Sequence, residues 1–229
     1  MASKNARRAL LISVLLTLAL YVIPFGNLIG YPLVLLSTLA HEMGHGIAAM
    51  LVGNDFQSLQ LYADGSGMAM SAGSPGRLKQ AIVSAGGLVG PAVVAAGLFG
   101  VGRYPRLARP ALAMIGVALL VAVVLVVRNI FGIFFISTLG IIALAIVIKG
   151  SKGLAQLSLV FVAVQLALSV FSRGDYLFTD VAHTAAGNMP SDVANMANAL
   201  FLPYWFWGGV CGGFSVLVLV LGLLWFLKR

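Results

Sequence analysis

Residues 41–45 read HEMGH. On an α-helix, positions four apart share a face, so His41 and His45 direct their imidazoles at one point while Glu42 projects beside them. Two neutral imidazoles can bind a divalent metal, and a neighbouring carboxylate can take a proton from water that the metal activates, which is the chemistry of zinc-assisted hydrolysis. A bare HExxH arises by chance in many chains. Here chance is a poor explanation: the chain contains 3 histidines and one glutamate, and three of those four residues fall in this pentapeptide.

A catalytic zinc usually has three protein ligands and an open position, so a third ligand is required. Glu42 is the only glutamate, which excludes a plan completed by a later one, and the extended pattern HExxHxxGxxH fails at Ala48 and Leu51. Asp55, Asp64, Asp175, Asp180, Asp192 and His183 remain. Asp192 is preferred: in SDVANMANALF it shares a helical face with Asn195 at i, i+3, so one can ligate while the other hydrogen-bonds a ligand or the substrate backbone. The plainer role for Ser191 or Asp192 is a helix N-cap. Asp180 and His183, in TDVAHT, form a second i, i+3 pair that could supply the ligand or its surroundings, or simply flank an interfacial helix. Asp64, in ADGSG, reads as a turn former.

The elements that must hold these residues are apolar. The 229-residue chain is 61% hydrophobic and only 9% charged, with a mean hydropathy of +1.05, far from the usage of a soluble domain. The expected fold class is an all-α polytopic membrane protein, residues 1–229 forming a single integral-membrane domain. Apolar windows long enough to cross a bilayer fall at about 8–24, 33–53, 78–101, 107–127, 130–148, 154–172 and 204–227. The basic start followed by an apolar run reads as an uncleaved first span. With seven spans, the 14 basic residues divide evenly between the two faces. A re-entrant segment would break that tie, so six or seven transmembrane helices are expected. The net charge of +8 sits in ones to threes at segment ends, which points to lipid headgroups of the bilayer and not to nucleic acid. A single cysteine, Cys211, excludes an internal disulfide.

HEMGH lies inside such a window, and ionisable residues near mid-bilayer cost about 2.5–3.5 kcal/mol each on insertion scales, so they are functional by default. Two polar intervals interrupt the windows. Residues 54–76 carry turn signals at Asp64-Gly65 and Ser74-Pro75-Gly76, predicting a small β-hairpin or sheet element between the second and third spans. Within it, GSGMAMSAG offers an edge strand that could hold an extended substrate, with Met68 and Met70 on one face and Gly67, Ala69 and Ser71 on the other; the alternative is a hairpin lid. Residues 172–203 carry three of the six acidic residues and the third histidine. GGLVG (86–90) and GGVCGG (208–213) have small-xxx-small spacing and predict close helix packing.

HEMGHGIAAMLVG on an apolar helix, a short sheet-like interval, AGGLVGPAVVAAG, RNIFG (128–132) and SDVANMA before the last span together resemble the site-2 protease family of intramembrane zinc metalloproteases, in particular its compact bacterial relatives without a PDZ insert. The resemblance touches roughly residues 30–210, with HExxH its specific element. It implies hydrolysis of a peptide bond in or near a transmembrane segment of a membrane-protein substrate. Zinc would be held by His41, His45 and an aspartate, with Glu42 as general base. Better-known members take the aspartate from an LDG motif, absent here, and hold substrate with the asparagine of GPxxN, where this chain has Val94; Asn129 or Asn195 is left for that part. Together with the lack of an Arg/Ser-rich transit leader, the resemblance implies a bacterial plasma membrane. The alternative class is a non-proteolytic membrane protein that binds metal, transports, or binds partners.

Overall fold

The computed structural model describes residues 4–74, 76–172, 174–185 and 187–228, without the side chain of Tyr21. Pro75 of the expected turn, the first three residues of the basic start, and Arg173 and Arg229 of the charge count lie outside the described residues. In chain order the elements are α1 (Lys4–Val22), α2 (Gly26–Leu51), β1 (Asp55–Leu61), β2 (Gly67–Ala72), α3 (Arg77–Gly102), α4 (Pro105–Leu125), α5 (Ile130–Lys149) and α6 (Lys152–Ser172). A 3-10 turn (Gly174–Phe178), β3 (Val181–Thr184), β4 (Gly187–Pro190), α7 (Asp192–Leu200) and α8 (Tyr204–Leu227) follow.

Among the described residues, five helices, α3, α4, α5, α6 and α8, are long and apolar enough to cross a membrane. Large apolar side chains such as Val124, Phe134 and Leu224 stand exposed on them, a surface suited to hydrocarbon and not to water. The first two windows form helices as well but fall outside that set. α1 carries Lys4, Arg7 and Arg8, and α2 carries Ser37, Thr38, His41, Glu42 and His45. The buried core joins α1, α3, α4, α6 and α8 through small residues such as Ala92, Ala95 and Ala163 with Leu159 and Phe226 between them.

α2 and α3 approach until their backbones touch. A Cβ on Gly44 would fall on the Gly86 carbonyl, one on Gly86 on Ala48 and Gly44, and one on Gly90 would come within 2.9 Å of the Ala40 carbonyl. GGLVG therefore packs as its small-residue spacing predicts. GGVCGG does something different: Gly208 and Gly212 receive Leu177 of the 3-10 turn, so the glycine face of α8 seats a turn and not a helix.

β1 and β2 form an antiparallel hairpin with Leu59 opposite Ala69 and Leu61 opposite Gly67. One of its edges is closed. Leu59 N–H donates to the Val126 carbonyl at 2.8 Å and Arg128 N–H to the Leu59 carbonyl at 3.0 Å, so residues 126–128 run parallel beside β1. The Asn129 amide continues that edge, accepting from Leu61 N–H at 3.3 Å and donating to the Leu61 carbonyl at 2.5 Å. Thr38 of α2 donates to the Gly65 carbonyl at 2.7 Å and Tyr31 to the Ala63 carbonyl at 2.5 Å, tying the hairpin's turn along α2.

The interval 172–203 departs from expectation. Residues 181–184 form no helix: β3 pairs antiparallel with β4, Val181 opposite Pro190 and His183 opposite Asn188. β-branched Val181 and Thr184 suit the strand, and Gly187 at φ 118 closes the turn. Asp180 and His183 therefore do not share a helical face. The helix in this interval is α7, docked on α3 and α8 through buried Val193, Met196 and Ala199.

The α2–α3 contact yields a stability prediction. Gly86→Val forces two backbones apart and should lower unfolding stability by about 1–3 kcal/mol. Gly97→Ala, on the same helix with nothing within 4 Å of its Cβ site, should leave it unchanged or slightly higher. Thermal unfolding in detergent, with both variants compared to the parent chain, checks the pair.

Candidate metal centre

α2 places His41 and His45 one turn apart, their rings nearly perpendicular at 87° with centroids 4.7 Å apart and their Nε2 atoms 3.1 Å apart. His45 Nδ1 lies 2.8 Å from the Val83 carbonyl of α3. A carbonyl can only accept, so Nδ1 carries the proton and Nε2 of the neutral ring presents a lone pair to the site. The ring fits because residue 87 has no side chain: a Cβ there would fall on the His45 imidazole.

The third group comes from α7. Ser191 is the N-cap; its Oγ accepts from Ala194 N–H at 3.2 Å and donates to the Thr179 carbonyl at 2.6 Å. Asp192 is thereby released from capping. Its buried carboxylate places Oδ2 3.1 Å from His41 Nε2 and Oδ1 3.3 Å from His45 Nε2. Burial acts to raise this carboxyl, but without a metal ion protons on the facing imidazoles outweigh it and hold the group below the usual carboxylate range.

These donors fit a metal. Bonds of about 2.0–2.1 Å in a tetrahedral zinc site put neighbouring ligand atoms about 3.3–3.4 Å apart, and the three observed separations are 3.1, 3.1 and 3.3 Å. Lone pairs and a carboxylate directed at one point repel unless a cation lies among them. Among the described residues, His41, His45 and Asp192 are the only such group, their ligand atoms all within 4.8 Å of one another.

Glu42 is buried beside β2. Its Cγ lies 2.7 Å from where a Cβ on Gly67 would be, and Ala69 N–H faces its carboxylate. Two cavities meet at His41 and Glu42. One, of about 390 Å³, is lined by Ser37, Thr38, Ser66, Tyr176 and Ser215. The other, of about 430 Å³, runs along β2 past Met68, Met70, Lys79, Asp192 and Asn195. The hairpins touch across them where Ala185 N–H donates to Ser66 Oγ at 3.2 Å.

The remaining candidates lie outside that group, although Asp64, Asp175 and His183 line the first cavity. Asn195 lines the second cavity, its amide donating to the Pro190 carbonyl at 3.4 Å. Asn129 is spent on Leu61 and lines neither of these two cavities. Asp180 is exposed at the far side of the β3–β4 hairpin. His183 lines the first cavity but is exposed, with Nδ1 2.7 Å from Asn188 Oδ1, and lies outside the three-residue group. Asp55 and Asp175 are exposed. Asp64 accepts from Ser66 N–H and O–H, and these bonds hold its carboxyl below the usual range, the turn chemistry its neighbours predict.

Two participants carried no signal in the sequence. Tyr176 donates to Asp192 Oδ2 at 3.3 Å and sets its ring edge-on to His41. Gly87 was legible only as a packing glycine.

Fold and site together define a helical membrane protein with a two-histidine, one-aspartate metal-type centre. A family model described as Peptidase M50B-like matches residues 10–222. The chain belongs to that family, the site-2 protease family of metallopeptidases, in a compact form with no PDZ insert between its described helices. Comparison with curated proteins and with solved structures finds no match.

Gly87→Ala should push the His45 ring off its position and weaken metal binding about tenfold or more, as loss of ligand orientation does elsewhere. Competitive titration against a chromophoric chelator, with Gly97→Ala as control, measures it.

Proposed function

We propose that this chain is an intramembrane zinc metallopeptidase that hydrolyses a peptide bond in or near a transmembrane segment of a membrane-protein substrate. The observation that carries this is the convergence of His41 Nε2, His45 Nε2 and the Asp192 carboxylate, with Glu42 next to His41 on the same helix. The family match supports a metallopeptidase, and the nitrogen and oxygen donor set with its spacing supports zinc as the metal. We count α2 as a further crossing, its polar face covered by α3 and the hairpin, and α1, packed on α6, as the remaining one. The chain works as a single unit in the membrane, for which the plasma membrane of a bacterium is the proposed location.

His41, His45 and Asp192 would hold the ion, which when bound would act as a Lewis acid and lower the pKa of water. Glu42 takes the proton from the attacking water and delivers it to the leaving amine. The cavities on either side of Glu42 give water and peptide separate approaches to one carboxylate.

A helical substrate hides its peptide bonds and must be held extended. β2 suits this. Leu59 and Leu61 turn their N–H and C=O groups away from β2 toward residues 126–129. Their partners Gly67 and Ala69, and by alternation Ser71, therefore face the open edge beside Glu42. A peptide added there by backbone pairing lies beside the general base.

Two predictions follow from these roles. Glu42→Gln should retain zinc and lower cleavage of a transmembrane model peptide by about 10²–10⁴-fold, while Asp192→Ala should lose stoichiometric zinc; metal analysis and peptide cleavage in detergent report both. Wild type that is fully loaded with zinc yet cuts none of a panel of transmembrane peptides would favour a partner-binding protein instead. Ser71→Pro, farther along the edge than the Ala69 N–H that faces Glu42, removes one outward N–H without touching the β1 ladder, and should lower kcat/KM about tenfold, the cost of roughly one hydrogen bond, with zinc content unchanged. Unaltered kcat/KM would leave the hairpin as a cover only.

A further inference from the structure

Asp192 is held differently from its two partners. His41 and His45 project from a long helix, and His45 is braced by Val83. Asp192 begins a helix of only nine residues, reached through a hairpin. Its carboxylate has rival acceptor duties close at hand, because the first turn of any helix leaves N–H groups unsatisfied and attracts negative charge. Ser191 removes one rival by capping Ala194. Something must still select the rotamer that faces the histidines.

Tyr176 is placed to do so. Its hydroxyl donates to Asp192 Oδ2 at 3.3 Å, and the Asp192 backbone N–H faces the Tyr176 hydroxyl oxygen. A hydroxyl that accepts from that N–H has its own hydrogen free for the carboxylate. Among the described residues, the other polar side chains on this carboxylate are the two imidazoles. The ring stands edge-on to His41 with centroids 5.8 Å apart at 80°. The 3-10 turn that carries Tyr176 is itself anchored: α8 opens at Gly208 to receive the Leu177 carbonyl, and Thr179 Oγ1 donates to the Tyr176 carbonyl at 3.2 Å.

We propose that Tyr176 is a positioning residue of the metal centre, holding the Asp192 carboxylate in its ligating orientation through the hydroxyl and so setting metal affinity. The inference rests on the metal-centre reading of His41, His45 and Asp192.

The test uses full-length protein in detergent with zinc alone as the probe, comparing wild type, Tyr176→Phe and Tyr176→Leu by competition with a chelator. Cobalt substitution gives a spectroscopic signature of the ligand set, and thermal unfolding of the chelator-treated protein gives apo stability. Tyr176→Phe should weaken zinc roughly 10–100-fold and alter the cobalt spectrum with apo stability nearly unchanged, and Tyr176→Leu should add little. Wild-type zinc affinity in Tyr176→Phe overturns the inference, whether cleavage is intact or reduced; reduced cleavage would move the hydroxyl's role to the substrate. A loss confined to Tyr176→Leu, or an apo stability that falls with affinity, also overturns it, assigning the effect to ring packing. If wild type binds no zinc, the metal-centre reading fails first, in an arm separate from the tyrosine comparison.

Discussion

Two imidazoles and a carboxylate facing one another across 3.1–3.3 Å need positive charge among them, a metal ion or protons, to be kept from bulk water, and the rest of the structure is organised around that demand. Charged and polar groups of this kind are expensive in a hydrocarbon setting. α2 limits the expense by turning its polar residues inward, where α3, the β1–β2 hairpin and α7 cover them. The same covering leaves Glu42 and Asp192 buried between two cavities, which strengthens the electrostatic interactions among the facing groups.

Covering a histidine with a helix requires room, and glycine supplies it. Gly44, Gly86 and Gly90 bring α2 and α3 into backbone contact, and Gly87 leaves the volume that the His45 ring occupies. The close approach also brings the Val83 carbonyl to His45 Nδ1, so one packing decision fixes both the ring and its tautomer. On the opposite side, α8 uses Gly208 to seat the turn bearing Tyr176. Small residues here do more than let helices associate in lipid; they admit the non-helical pieces that carry the site.

The hairpin has two unequal edges. Residues 126–129 complete one, with an asparagine side chain standing in for a strand's N–H and C=O. The other is left open beside Glu42. That asymmetry puts an unpaired edge, normally a liability that proteins blunt, where an extended peptide would be used. Asn129 thus supports the hairpin from the far side of the sheet, although the sequence left it, or Asn195, to hold substrate.

The sequence by itself determined the helical pairing of His41, Glu42 and His45, seven apolar windows of which five form helices of membrane-crossing length and apolarity, the first hairpin and the Asp64 turn. Each depends on residues within a few positions of one another, where helix and strand periodicity or turn chemistry leave a local trace. It also narrowed the third partner to a handful of side chains, and counting the single glutamate did much of that narrowing. Only the tertiary structure decided among them, by giving the cap to Ser191 and turning TDVAHT into a strand. It alone joined Tyr176 to Asp192, Gly87 to the His45 ring and Asn129 to Leu61. Those contacts join different elements, most of them far apart in the chain, and depend on how the elements dock. Docking is a property of shape and volume that no spacing of residue types along the chain records.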